Sequence, residues 1–389
     1  MAIFLDHAAT SPLREGAREA LLHSLAEVGN PSSVHSHGQH TREILEQARD
    51  AIAKVVNCNR SEVIFTSGGT EANNAAIKGL FWQRTGEDIG RKVIISAATE
   101  HHAVIDPIEW LVENADAELV EVPVSQVGEF DLGFLEQLIE ARHDEIALIS
   151  LMWVNNETGV IADMQRIGEL ASRYQIPVHT DAVAALGHIE VDFAAAGLTA
   201  MSLSAHKVGA PIGIGALIVS RGAKPVSLLH GGGQERGLRS GTMNYPLASS
   251  FAAAALESQA DMTRRQERLS RWRDRIEAEI TAAFPEVSIT AAGANRVEHN
   301  AHLIFPGANS DNLLFLLDQH GVSVSAGSAC QAGVLGPSHV LVGMGYPPQL
   351  ASCCLRITLG HNTLEIDVDA VIAAIKEIYP LAKVASPNS

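Results

Sequence analysis

Between residues 60 and 220 the chain keeps switching its hydrophobic period. Short apolar runs, "EVIFTS", "KVIISA", "IALISLMW", "IPVHTD", "AMSLSA" and "GIGALIVS", are separated by longer stretches, several of them amphipathic, such as "TEANNAAIKGLFWQ" and "DMQRIGELASRYQ". Runs this short and this apolar suit strands buried on both faces. Strands alternating with helices predict an α/β fold, a mostly parallel sheet wrapped by helices. In such sheets ligands bind at the carboxyl ends of the strands. The charged segment "DMTRRQERLSRWRDRIEAEITAAF", Asp261 to Phe284, reads as a helix and a hinge. Beyond it, strands at "AHLIFPG" and "CCLRITLG" and helices at "SDNLLFLLDQHG" and "DVDAVIAAIKEIYPLA" predict a smaller α/β domain. The expected division is a large domain over 14–261 and a small one formed by 1–13 with 262–389.

Composition narrows the function classes. The 389 residues are 46% hydrophobic and 19% charged, as expected of a globular chain. A net charge of −17 argues against direct binding to nucleic acid or to an anionic membrane. No apolar run approaches the roughly 20 residues that span a bilayer. "MAIFLDHAATSP" lacks the basic start and apolar core of a secretory signal, so a cytoplasmic location is expected. The four cysteines, Cys58, Cys330, Cys353 and Cys354, are too few and too irregular for a disulfide framework or a CxxC zinc site.

Three strand ends carry polar groups of distinct chemistry. "EVIFTSGGTEANN" leads from a strand through Ser67, Gly68, Gly69 and Thr70 into a helix, and backbone amides at such a start favour a phosphate. It is no P-loop, because the lysine of that motif is absent. "IPVHTDAVAALG" places Asp181 past a strand, as a helix cap or as the partner of a buried cation. "MSLSAHKVGAPIG" places Lys207 past another, beside Ser204 and His206. A desolvated lysine there can attack a carbonyl carbon; otherwise it is a surface lysine lying along a strand end. Together, in this order on one sheet, they match what pyridoxal 5'-phosphate requires: a phosphate cradle, an acid for the ring nitrogen and a lysine for covalent attachment.

At this point a resemblance is plain. "FLDHAATSP", "GNPSSVH", "FTSGGTEANN", "TEHHAV", "VNNETG", "HTDA", "SAHK", "HGGGQERGLRSGT", "SAGSAC" and "LRITLG" follow one another along nearly the whole chain. The chain resembles the cysteine desulfurases of the class V aminotransferase family, fold type I, in the group with a long cysteine loop. The resemblance implies a homodimer using pyridoxal 5'-phosphate and L-cysteine. Its persulfide sulfur would go to protein acceptors, an iron–sulfur scaffold or a tRNA-thiolating enzyme. Lys207 would hold the cofactor, Asp181 its ring nitrogen and His101 its ring face. Gly69, Thr70, Ser204 and His206 would hold its phosphate, with Thr242 reaching the phosphate of the neighbouring subunit. Asn156 and Arg356 would take the substrate carboxylate. Cys330 would attack the substrate sulfur, and its Gly/Ser-rich surroundings would let it travel between cofactor and acceptor.

Two rivals carry different predictions. A relative with the same cofactor, such as a selenocysteine lyase or a transaminase, has no need of a transferring thiol. A cofactor-free scaffold has no need of Lys207, Asp181 and His101. One departure from the family pattern is Ala184, where a Gln usually donates to the ring oxygen. His35, His37 and His40 lie close together but read as a motif residue and two surface residues, so no metal site is expected. Cys353 and Cys354 read as packing residues.

Overall fold

The computed structural model describes residues 2–327 and 336–385. Its centre is a seven-stranded sheet in the order Val63–Thr66, Gly215–Val219, Ala200–Ser204, Val178–Asp181, Ile146–Ser150, Val93–Ser96, Glu118–Glu121. All neighbours run parallel except Gly215–Val219, which is antiparallel to both strands it touches. Six of these strands coincide with the apolar runs of the sequence and are buried throughout. The seventh, Glu118–Glu121, is an edge strand with exposed glutamates at both ends, so it lacks the apolar signature.

The helix predicted from Asp261 begins 16 residues earlier and runs Tyr245–Ala283. Its first half is rich in alanine and packs into the core of the central sheet through Ala248, Phe251, Ala252, Ala254 and Ala255. Its second half gives Leu269, Ile276 and Ile280 to a separate hydrophobic cluster. That second cluster also holds Leu5 and side chains of the helix Glu365–Ala385, and it is built on an antiparallel sheet, Cys354–Thr358 with Asn300–Ile304 and Ser288–Ile289. Among the described residues no helix is long and apolar enough to cross a membrane.

Buried polar groups fix the middle of the central sheet. His179 is fully buried, with Nδ1 2.9 Å from Ser150 Oγ and Nε2 3.0 Å from Ser202 Oγ. One imidazole therefore ties its strand to both neighbours, two residues before Asp181. Burial pushes the His179 pKa down from 6.5 to about 3. His302, on the small sheet, is likewise pushed to about 3, by burial and then by the Arg356 and Arg296 cations. Both rings stay neutral in the folded chain while the unfolded chain takes up protons below pH 6.5. Their contribution is therefore complete above pH 6.5 and is lost as pH falls toward 3, by about 1.4 kcal/mol per pH unit for each ring. In denaturant titrations across this range, a variant lacking one of the two imidazoles should show the slope of stability against pH reduced by about one proton.

Candidate active site

The carboxyl ends of the parallel strands open onto one cavity of about 320 Å3. Gly69, Thr70, His101, Asn156, Asp181, Ser204, His206, Lys207 and Arg356 all line it. They come from places as distant in sequence as residues 69 and 356, and the strand order brings them together.

One wall is the start of the helix Gly69–Glu87. The first amides of a helix have no intrahelical acceptor and point outward at its end. A Cβ on Gly69 would come within 2.8 Å of Val183 Cγ2, so the backbone and its surroundings approach here as closely as glycine allows. Ser204 and His206 border the same end. Burial and the neighbouring Lys207 push the His206 pKa down to about 4, so it offers a neutral ring.

Asp181 is buried and its carboxylate is held on both oxygens. Asn73 donates to Oδ2 at 2.6 Å and the Val183 amide donates to Oδ1 at 2.9 Å. Asn73 was not among the sequence candidates. Its only signal is the spacing of four residues from Gly69, which puts both on one helix face. His101 precedes the helix His102–Asn114, and its Nδ1 accepts from the Ala103 amide at 3.0 Å. A neutral ring accepting at Nδ1 carries its proton on Nε2. Burial lowers the His101 pKa and Lys207 lowers it further, against the opposite pull of Asp181.

Lys207 lies just past Ala200–Ser204, in the short turn Ala205–Lys207. Its Nζ donates to the carbonyls of Ala8 and Ala9, the latter at 2.9 Å. The N-terminal segment is thus part of the site, which no local pattern announced. Arg356 is almost wholly buried. Its Nη1 donates to the Asn156 carbonyl at 2.8 Å and its Nη2 to Asp6 Oδ1 at 3.0 Å. Its Nε and the side-chain Oδ1 of Asn156 have no hydrogen-bond partner among the described residues, although both are buried. Arg356 borders the cavity, and a guanidinium there fits a ligand carboxylate. The donor set as a whole fits pyridoxal phosphate, with a helix start for the phosphate, a fixed anion and a lysine amine.

Thr242 does not reach this cavity. It is exposed and borders a separate cleft with Ser67, Gly213, Arg239 and Met243. Cys330 lies outside the described residues. Ala184 borders the main cavity and offers only a methyl group. His35 caps the helix Ser36–Val55, accepting from the Gly38 amide at 3.2 Å, and does not line the cavity. Cys353 and Cys354 are buried among Ile304, Val340 and Leu341, and burial raises both thiol pKa values, that of Cys354 to about 12.

Comparison with known proteins agrees with this geometry. The chain matches the family described as "Aminotransferase class-V" over residues 3–371. It is 41% identical over 373 residues to the IscS-like cysteine desulfurase of Mycobacterium tuberculosis, covering 96% of this chain and 95% of that one. It is 39% identical to the cysteine desulfurase IscS of Dictyoglomus turgidum, covering 99% and 96%. Among solved structures, a NifS-like protein from Rickettsia africae superposes with a TM-score of 0.87 at 29% identity, covering 98% of this chain and all of that one. Another, named NifS-like protein, reaches a TM-score of 0.90 at 28% identity, with the same coverage. With the fold type I architecture and a cavity built for pyridoxal phosphate in place, the chain belongs to the class V aminotransferase family, within its cysteine desulfurases.

Proposed function

We propose that this cysteine desulfurase converts L-cysteine to L-alanine and leaves the sulfur on Cys330 as a persulfide. That sulfur then passes to a protein acceptor of iron–sulfur assembly, tRNA thiolation or both. The observation that carries the reading is the convergence of Lys207, Asp181, His101 and Arg356 on one cavity. Bound pyridoxal phosphate supplies an electron sink for the charge left when the substrate Cα–H bond breaks. Lys207 holds the cofactor and then carries the proton at its Nζ. Asp181 keeps a negative charge against the ring nitrogen, oriented by Asn73 and the Val183 amide. His101 presents Nε2–H to the cavity, while Gly69, Thr70, Ser204 and His206 take the phosphate.

Arg356 and Asn156 orient the substrate through its carboxylate. The Cys330 thiolate attacks the substrate sulfur. An S–S bond forms and the C–S bond breaks, its electron pair staying on carbon, where protonation gives alanine. The flanks of the Cys330 segment are anchored beside this site. Ser325 exchanges backbone hydrogen bonds with Arg356 at 3.1 and 2.7 Å, and Ser338 Oγ donates to Glu157 Oε2 at 2.5 Å. Exposure of Thr242 in its own cleft supports a homodimer in which it serves the neighbouring phosphate site. The two hydrophobic clusters support a division near residue 261, and the absence of a membrane-spanning helix among the described residues agrees with a cytoplasmic location.

Three measurements test these roles. Lys207→Ala should lose the visible absorbance of the attached cofactor and nearly all turnover; an adduct still reducible onto another lysine would contradict the assignment. Cys330→Ala should keep the colour and its change on adding cysteine, yet lose nearly all alanine and sulfide production, because the attacking thiolate is gone. Asn73→Ala removes a hydrogen bond to a charged group, a loss of about 1.5–3 kcal/mol. Cofactor affinity should fall by roughly tenfold or more on that scale, read by equilibrium dialysis against absorbance.

A further inference from the structure

Beyond Ala184 a second polar cluster forms from two distant stretches of chain. His188 meets Glu298 and His299, which immediately precede the strand Asn300–Ile304. One ligand atom from each lies within 4.8 Å of the others. His188 Nδ1 is 2.9 Å from Glu298 Oε1, and His299 Nδ1 is 3.9 Å from Glu298 Oε2. The two rings stack with centroids 3.7 Å apart, so both nitrogens reach one carboxylate. Glu298 and His299 are buried at 6% and 5% exposure, whereas the His188 side chain, at 16%, reaches the rim.

An ion pair with His188 explains only half of this arrangement. Glu298 Oε2 and His299 Nδ1 are buried with no hydrogen-bond partner among the described residues. A buried carboxylate oxygen in that state is costly unless something binds it. Against His188 and His299 opens a small cavity of about 20 Å3, bordered also by His7 and Asn300. A volume of about 10–15 Å3 holds one water. His7 Nε2 and Asn300 Oδ1 likewise have no partner among the described residues. The nearby Arg265 does not occupy the carboxylate, since it is engaged by Asp261 and the Gly187 carbonyl.

We propose that His188, Glu298 and His299 bind one divalent ion of the zinc class, with a fourth position open toward the small cavity. Two imidazoles and a carboxylate suit zinc better than magnesium or calcium, which prefer all-oxygen shells. Bonds of about 2.1 Å at tetrahedral angles separate ligand atoms by about 3.4 Å. His188 Nδ1 lies 2.9 Å from Glu298 Oε1 and His299 Nδ1 3.9 Å from Oε2, and one ligand atom from each residue lies within 4.8 Å of the others, so shifts of about an ångström would bring the three to that spacing. The stacked rings must fan apart for both lone pairs to converge, a rotation that the open side of His188 allows.

Zinc binding by the holoenzyme tests this. The Cys330→Ser background keeps a reactive thiol from contributing metal. The protein is stripped with chelator, titrated with zinc against a chromophoric competitor, and its bound metal counted after gel filtration. One zinc per chain is expected. His188→Ala at the rim and Glu298→Gln, which preserves the shape of the carboxyl, should each weaken binding at least tenfold, with cofactor absorbance and far-UV circular dichroism unchanged. Failure to bind stoichiometric zinc overturns the proposal. So does binding that survives both substitutions, or that is lost instead with His37→Ala and His40→Ala on the surface.

Discussion

A carboxylate buried at the end of a central strand governs this structure. Asp181 lies away from bulk water, and Asn73 and the Val183 amide donate to both of its oxygens. Those donors exist because the helix from Gly69 packs against the sheet and because the chain turns directly after Asp181. Two residues earlier, His179 is clamped between Ser150 and Ser202 on the flanking strands. The strand that presents the anion is thus held laterally by side chains as well as by its ladder. In a low-dielectric site, a charge fixed in place acts strongly on whatever cation faces it.

The N-terminal segment joins the two halves of the molecule at this same point. Ile3–Phe4 pairs with Val322–Ser323, and Leu5 enters the smaller hydrophobic cluster. Asp6 accepts from Arg356, the Ala8 and Ala9 carbonyls accept from Lys207, and the Ser11 amide donates to the His206 carbonyl at 2.9 Å. A dozen residues therefore tie Arg356 and Lys207 into one hydrogen-bonded line. The helix Tyr245–Ala283 makes a second link, because one half is committed to each core.

Much of this was legible in the sequence, for a local reason. A strand buried on both faces must be apolar over its own few residues, so each of six central strands announced itself, and with it the polar residue at its end. Lys207 and Asp181 were readable because each follows its strand directly. Where burial is one-sided or all-round, the pattern failed. Glu118–Glu121 carries glutamates at a sheet edge, and residues 245–260 form an alanine-rich helix with no charged face to reveal its period. Cys330 is a reading of sequence alone, since it lies outside the described residues.

The sequence by itself determined six of the seven central strands, their polar ends and the family. Tertiary structure decided which of those ends meet. Asn73 on Asp181, Asp6 on Arg356, the Ala8 carbonyl on Lys207, and His188 on Glu298 are pairings across roughly a hundred residues or more of chain. No local period encodes such contacts. They follow from the strand order and from close packing, which leave each buried donor few acceptors within reach.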